Sequence, residues 1–355
     1  MTTVLAIIFV LAILVFVHEL GHYLAARSVG IRVERFYIGF NLFGLGIKRK
    51  IGDTEYGLGL FPLGGYVKMA GMIDESMDAT LLGEPWEFQS KNALQKIWVM
   101  SAGVLGNMLL AIIIFSGLTW TNGINETDPS AIIGTVVPDY PASQAGFLAG
   151  DRIMSVNGVT VSTWDQITEA IHALPELEII ITGSNMSGDF SRALITTKGE
   201  LLIDSEIKVV GLIGISPVVN NRPAGFVEGF TQGLSLTGRW FVMTYKSLGM
   251  IVSGAASIKQ VGGPIMIAQM AGESARAGFA TLLGLMAIIS INFAFINILP
   301  IPALDGGQIF ITLIEVVRRK PLPIRARMAI QQVGVLLLLT LMAVVIFNDI
   351  ARIMN

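Results

Sequence analysis

The chain has 355 residues, of which 53% are hydrophobic and only 14% charged, with a formal net charge of −2. A mean hydropathy of +0.67 excludes an ordinary soluble composition and marks a membrane protein. The near-neutral charge, with no basic stripe interleaved with aromatics, gives nucleic acid no place as a partner. With no cysteine, disulfides and thiolate ligands are excluded.

The first segment, residues 1–27, is an apolar run from Val4 to about Ala26 that contains His18-Glu19-Leu20-Gly21-His22. No basic region precedes it and no small-x-small cleavage site comes before the motif, so the run is expected to be a retained span instead of a leader. Residues four apart share one helix face, so His18 and His22 can aim at one ion with Glu19 beside them. In zinc hydrolases this HExxH pattern gives two metal ligands and a glutamate base. Three ionisable groups within five positions of a membrane helix cost about 2.5–3.5 kcal/mol each on insertion scales, and a bound cation offsets that. His172 is the only histidine outside the motif, so the third ligand is expected to be a carboxylate or water.

Residues 28–96 form a loop in which Phe36–Phe40, Gly46–Ile51, Glu55–Leu60 and Tyr66–Met69 read as strands broken by glycine-rich turns. The resulting small sheet is apolar for a loop and is expected to associate with the membrane where protein covers its backbone. The sheet at Glu55–Met69 is expected to hold an extended substrate as an added strand, with Leu58, Gly59, Leu60 and Phe61 as the docking residues. Asp74–Gln89 is acidic and irregular and suggests no function. Further spans are expected at Ile97–Trp120 (segment 97–120), Thr281–Leu299 (279–300) and Met328–Phe347 (328–350). Lys and Arg concentrate in the first loop and in the connection 301–327, which predicts both on the cytoplasmic side, with both termini and the middle region outside.

Residues 128–217 alternate as a compact β-rich domain with one good helix, Trp164–Leu174. Residues 224–278 are amphipathic and predict helices on the outer membrane surface. The third span ends in Asn297-Ile298-Leu299-Pro300-Ile301-Pro302-Ala303-Leu304-Asp305-Gly306-Gly307. Two prolines break the helix and two glycines are expected to let the chain turn, so that Asp305 can supply the missing carboxylate.

Two resemblances follow from these stretches. The run Ala145-Gly146-Phe147-Leu148-Ala149-Gly150-Asp151-Arg152-Ile153, continuing to Asn157-Gly158, resembles the PDZ domains of bacterial proteases, whose grooves take peptides by strand addition. HExxH in a first span, with N-x-x-P-x-x-x-LDG near a third, resembles the site-2 proteases, closest to the bacterial regulator-of-sigma-E type. Phe61-Pro62-Leu63-Gly64-Gly65-Tyr66-Val67-Lys68-Met69 and Gly263-Pro264-Ile265 agree with that likeness. The second span departs from it, reading Ala102-Gly103-Val104-Leu105-Gly106-Asn107 where the family usually has A-G-P-x-x-N. There is also one PDZ-like stretch where the best-known relatives have two.

The fold expected is a mainly α-helical polytopic membrane protein of four transmembrane helices, with a small membrane-associated β-sheet and an inserted α/β PDZ domain. The resemblance implies one zinc ion per chain on His18, His22 and Asp305, Glu19 as catalytic base, and Asn297 at the substrate or the developing oxyanion. It also implies single-pass transmembrane substrates, such as anti-sigma factors or signal-peptide remnants, cut after an upstream site-1 type protease in a bacterial cytoplasmic membrane. Two other readings remain at this point: a PDZ receptor or scaffold with a structural metal, and an ion transporter.

Overall fold

The computed structural model describes residues 2–40, 46–59, 61–72, 82–203, 206–256 and 262–354. The chain divides into two compact units, Met1–Trp120 with Gly225–Asn355, and Thr121–Ala224.

In the first unit four helices are long and apolar enough to cross a bilayer: α1 (Thr2–Ser28), α2 (Ala93–Asn122), α7 (Phe279–Ile298) and α9 (Ile324–Met354). They match the four expected spans, and three run further than the apolar pattern alone suggests. On α1 the residues Ala6, Val10, Leu14, His18 and His22 are buried and recur every four positions. The apolar stripe that holds α1 in the bundle is thus the stripe that ends in the two histidines. Its upper part packs with Ala111, Ile114 and Phe115 of α2, Ala271 of α6 (Pro264–Ala277) and Leu285, Met286 and Ile291 of α7. Small residues let these helices approach closely: a Cβ on Gly106 would come within 2.9 Å of the Val17 carbonyl oxygen, and Gly272 lies against Thr3.

The loop after α1 folds into a four-stranded sheet in the order β2-β3-β1-β4, from β1 (Val33–Phe40), β2 (Gly46–Ile51), β3 (Thr54–Gly59) and β4 (Phe61–Met69). The third strand runs parallel to β1, and the other pairings are antiparallel. The Tyr37 hydroxyl donates to Glu55 Oε1 at 2.6 Å and holds that half-buried carboxyl below the usual range.

The 224–278 segment contains one 27-residue helix, α5 (Phe226–Val252), followed by α6. Gly229 and Gly233 of α5 lie against Trp120 and Ser116 of α2, Thr244 Oγ1 donates to Asn292 Oδ1 on α7 at 2.7 Å, and Phe241 meets the Phe295 ring edge-on. The helix therefore packs lengthwise against α2 and α7. Its glycines and Thr244 lie on this contact face. Asp349 of α9 is fully buried and accepts from the N–H groups of Gly263, Ile265 and Met266 at 3.0–3.2 Å, capping α6 from another helix.

The second unit is β-rich, as expected for 128–217, and extends past those bounds because β5 (Ile124–Thr127) pairs with β14 (Val219–Arg222) and brings its two ends together. A sheet of order β10-β9-β7-β8 combines β7 (Arg152–Val156), β8 (Val159–Thr160), β9 (Glu178–Asn185) and β10 (Gly188–Ile195). Its core is Ile133, Phe147, Ile153, Ile167, Ile179 and Ile181. The helix α4 (Trp164–His172) has a full capping box from Thr163 and Gln166, which explains why the sequence signalled it clearly. A groove of about 360 Å³ runs between α4 and the stretch Gly211–Ile215, lined by Tyr140, Trp164, Ile167, Ile171 and His172.

Candidate metal centre

The chain after α7 carries Pro300 and Pro302, which cannot continue a helix, and resumes as α8 (Asp305–Arg318) with Asp305 as its first residue. The sharp turn is made by Ala303, at φ +78°, and not by the two glycines. Gly306 and Gly307 serve a different need, since a Cβ on either would strike the carbonyl oxygens of Ile298, Leu299 or Ile301 as the chain folds back on the end of α7. This tight return carries Asp305 to the histidines.

The geometry there is compact. Asp305 Oδ2 lies 3.2 Å from His18 Nε2 and 3.3 Å from His22 Nε2, and the two Nε2 atoms are 3.2 Å apart. Bonds of about 2.0–2.1 Å in a tetrahedron give edges of about 3.3 Å, so this triangle of two imidazole nitrogens and one carboxylate oxygen fits a zinc ion and leaves a fourth position open. Both histidines are buried, at 6% and 5% relative exposure. The Val99 carbonyl of α2 accepts from His22 Nδ1 at 2.8 Å, Asn107 of α2 meets His18 Nδ1 at 3.2 Å, and the Phe293 ring stands edge-on to His18.

Glu19 is absent from the ligand triangle but borders the same cavity, with the Val67 backbone N–H of β4 donating to it. The cavity has a volume of about 970 Å³ and is bounded by His18, Glu19 and His22 of α1, Gly65–Met69 of β4, Phe293 and Asn297 of α7, Asp305 and Gln308 of α8, and Gln331 to Met342 of α9. Asn297 is buried and its Nδ2 has no hydrogen-bond partner among the described residues, so a free N–H donor borders the chemistry. Gly65 lets β4 lie this close to α1, because a Cβ there would come within 2.7 Å of the Tyr37 carbonyl oxygen and 2.9 Å of Val15 Cγ1.

Within the sheet expected to dock substrate, the residues Leu58-Gly59-Leu60-Phe61 fall on two different strands. Leu58 and Gly59 belong to β3, which is flanked by β2 on one side and β1 on the other, so its backbone groups are already spent in ladders. Leu60 lies outside the described residues, and Phe61 begins β4. The strand that borders the cavity is β4, an edge of the sheet, through Gly65–Met69. Alternation alone could not reveal this, because strand order depends on the crossover that sets β3 beside β1. The other edge, β2, reads Gly46-Ile47-Lys48-Arg49-Lys50-Ile51 and is fully exposed, a charged edge of the kind that resists pairing.

Residues 6–341 match the family model described as Peptidase family M50. The chain belongs to that peptidase family, the site-2 proteases. Curated relatives carrying the provisional name zinc metalloprotease match nearly end to end. One from Clostridium perfringens is 38% identical over 95% of this chain and 95% of its own, and one from Nostoc is 37% identical over 96% and 93%. Another, from Rickettsia conorii, is 32% identical over the whole of both chains. A solved PDZ domain of an SdrC-like protein from Listeria monocytogenes aligns with 27% of this chain and 94% of its own at 19% identity, with a TM-score of 0.21. As a member of the family the chain is a membrane metalloprotease, and the family implies zinc.

Proposed function

We propose that the chain is a zinc-dependent intramembrane endopeptidase that cuts transmembrane segments of single-span proteins, with His18, His22 and Asp305 as its metal ligands. The observation that carries this reading is the arrangement at the centre: three candidate ligand atoms 3.2–3.3 Å apart, with Glu19 outside the triangle but in the same cavity. A structural zinc site normally closes with four protein ligands, whereas three with an adjacent carboxylate are the pattern of a hydrolase. A bound zinc ion supplies Lewis-acid polarisation of a carbonyl and acidifies water. Glu19 accepts the proton of the attacking water and returns it to the leaving amine. Asn297 Nδ2 donates to the developing oxyanion, which gives its otherwise unpartnered N–H a use.

A helical substrate hides its amides in i to i+4 bonds and has to unwind before attack. The edge of β4 at Gly65–Met69 then offers main-chain groups to the unwound segment as an added strand beside Glu19. Substrates of the anti-sigma-factor or signal-peptide-remnant kind, trimmed first by a site-1 type protease, fit a cavity of this size among membrane helices. The Lys and Arg distribution supports both termini and the second unit lying on the extracytoplasmic side of a bacterial cytoplasmic membrane. The groove beside α4 supports a PDZ reading of the second unit. Substrate trapping on Glu19→Gln protein in its native membrane tests the function. Recovery of single-span proteins supports it, and capture of soluble proteins alone contradicts it.

A further inference from the structure

The two metal-facing histidines are backed by one face of α2, on which Val99, Gly103 and Asn107 recur every four residues. The Val99 carbonyl can accept from His22 because a helical side chain covers the turn N-terminal to it, and at the covering position stands Gly103. Asn107, one turn further, is completely buried. Its Nδ2 lies 3.2 Å from His18 Nδ1, its Oδ1 has no partner among the described residues, and its backbone carbonyl accepts from Ser290 of α7 at 2.8 Å.

A neutral imidazole has one N–H and one lone pair. If Nε2 of His18 gives its lone pair to an ion, the ring proton sits on Nδ1 and needs an acceptor. The Asn107 side-chain amide, 3.2 Å away, can supply one through its oxygen. We infer that Asn107 is the positioning residue for His18: with Nε2 given to zinc, the ring proton stands on Nδ1 and the buried Asn107 amide accepts it through Oδ1. The inference rests on the zinc site proposed above. Asn107 is completely buried, its Oδ1 is otherwise without a partner among the described residues, and Ser290 donates to its backbone carbonyl.

The zinc affinity of the purified full chain, measured against a competing chelator, tests this. Outer partners of ligating histidines are worth about 10–100-fold in affinity. Asn107→Leu should therefore lose about 10–100-fold, while Asn107→Asp, which keeps an acceptor, should stay near the unsubstituted chain. Wild-type affinity in Asn107→Leu, or an Asn107→Asp protein as weak as Asn107→Leu, would overturn the inference. Nitrogen-15 histidine spectra of the unsubstituted chain give a second reading that does not depend on how the variants fold. In the zinc-loaded protein the His18 Nδ1–H should be present and hydrogen-bonded, and an Nδ1–H without a hydrogen bond, or coordination through Nδ1, would overturn it. If His22→Ala loses zinc while Asn107→Leu does not, only the inference fails. If His22→Ala binds as tightly as the unsubstituted chain, the metal site itself fails.

Discussion

A single methyl group on α2 should remove the metal. Gly103 faces both imidazoles, and an added Cβ would lie 2.7 Å from His18 Cε1, 2.8 Å from His18 Nδ1 and closer still to His22 Nε2. Ordinary contact begins at 3.4 Å, so the His18 ring alone would have to retreat by about 0.7 Å, the difference between 3.4 and 2.7. Ligand distances in a zinc site tolerate only about 0.2 Å. The rings cannot move away together, because His22 is tied to Val99 on the same helix as the intruding methyl. Gly103→Ala should thus lower zinc affinity by ~100-fold or more, beyond the effect of losing an outer hydrogen bond. Gly117→Ala, on the same helix, is the control: a Cβ added there meets nothing within 4 Å, and zinc affinity should stay unchanged. Zinc analysis of both purified proteins decides the matter, and a Gly103→Ala protein with full zinc would refute the placement of the rings.

Three other outcomes follow from the same geometry. Because the chain has no cysteine of its own, Tyr66→Cys on β4 should cross-link to a single-cysteine substrate, while Ile47→Cys on the exposed edge β2 should not; equal yields would count against docking on β4. The second unit can be excised between its paired ends β5 and β14, and if it acts as a size filter, its removal should let untrimmed substrates be cut; continued sparing of them with loss of trimmed ones would make it a recruiter. Burial beside the α4 groove holds His172 below its ordinary value of 6.5, so the unfolded chain binds the extra proton first and the second unit should lose stability as pH falls through 6.5. Melting temperatures between pH 7.5 and 5 should show a slope that His172→Gln flattens, and an unchanged slope would contradict it.

Much of the proposed metal centre was legible because its residues are local in sequence. His18, Glu19 and His22 share a helix, and the cost of burying them in an apolar run forces a partner that Asp305 provides. What surrounds them was not legible. Nothing in a sequence marks the Val99 carbonyl as an acceptor, since every residue has one, and only the absence of a side chain at Gly103 exposes it. Asn107 stood out as part of a second-span pattern, but its partner became visible only once α2 lay against α1. The glycines after Asp305 signalled a turn and proved to be a packing requirement, with Ala303 taking the positive φ. For the sheet, strand existence was readable from alternation, whereas the order that leaves β4 at the edge was not. The amphipathic character of α5 was readable, whereas the packing of its glycine and threonine face on α2 and α7 was not.

The central claim is that binding the metal and moving the proton belong to different residues. Zinc content and cleavage of a transmembrane substrate, measured on the same preparations of Glu19→Gln and Asp305→Ala, test it most directly. Glu19→Gln should hold one zinc per chain and cut nothing, and Asp305→Ala should lose the zinc. A Glu19→Gln protein that cleaves at the wild-type rate, or an Asp305→Ala protein that retains its zinc, would contradict the account.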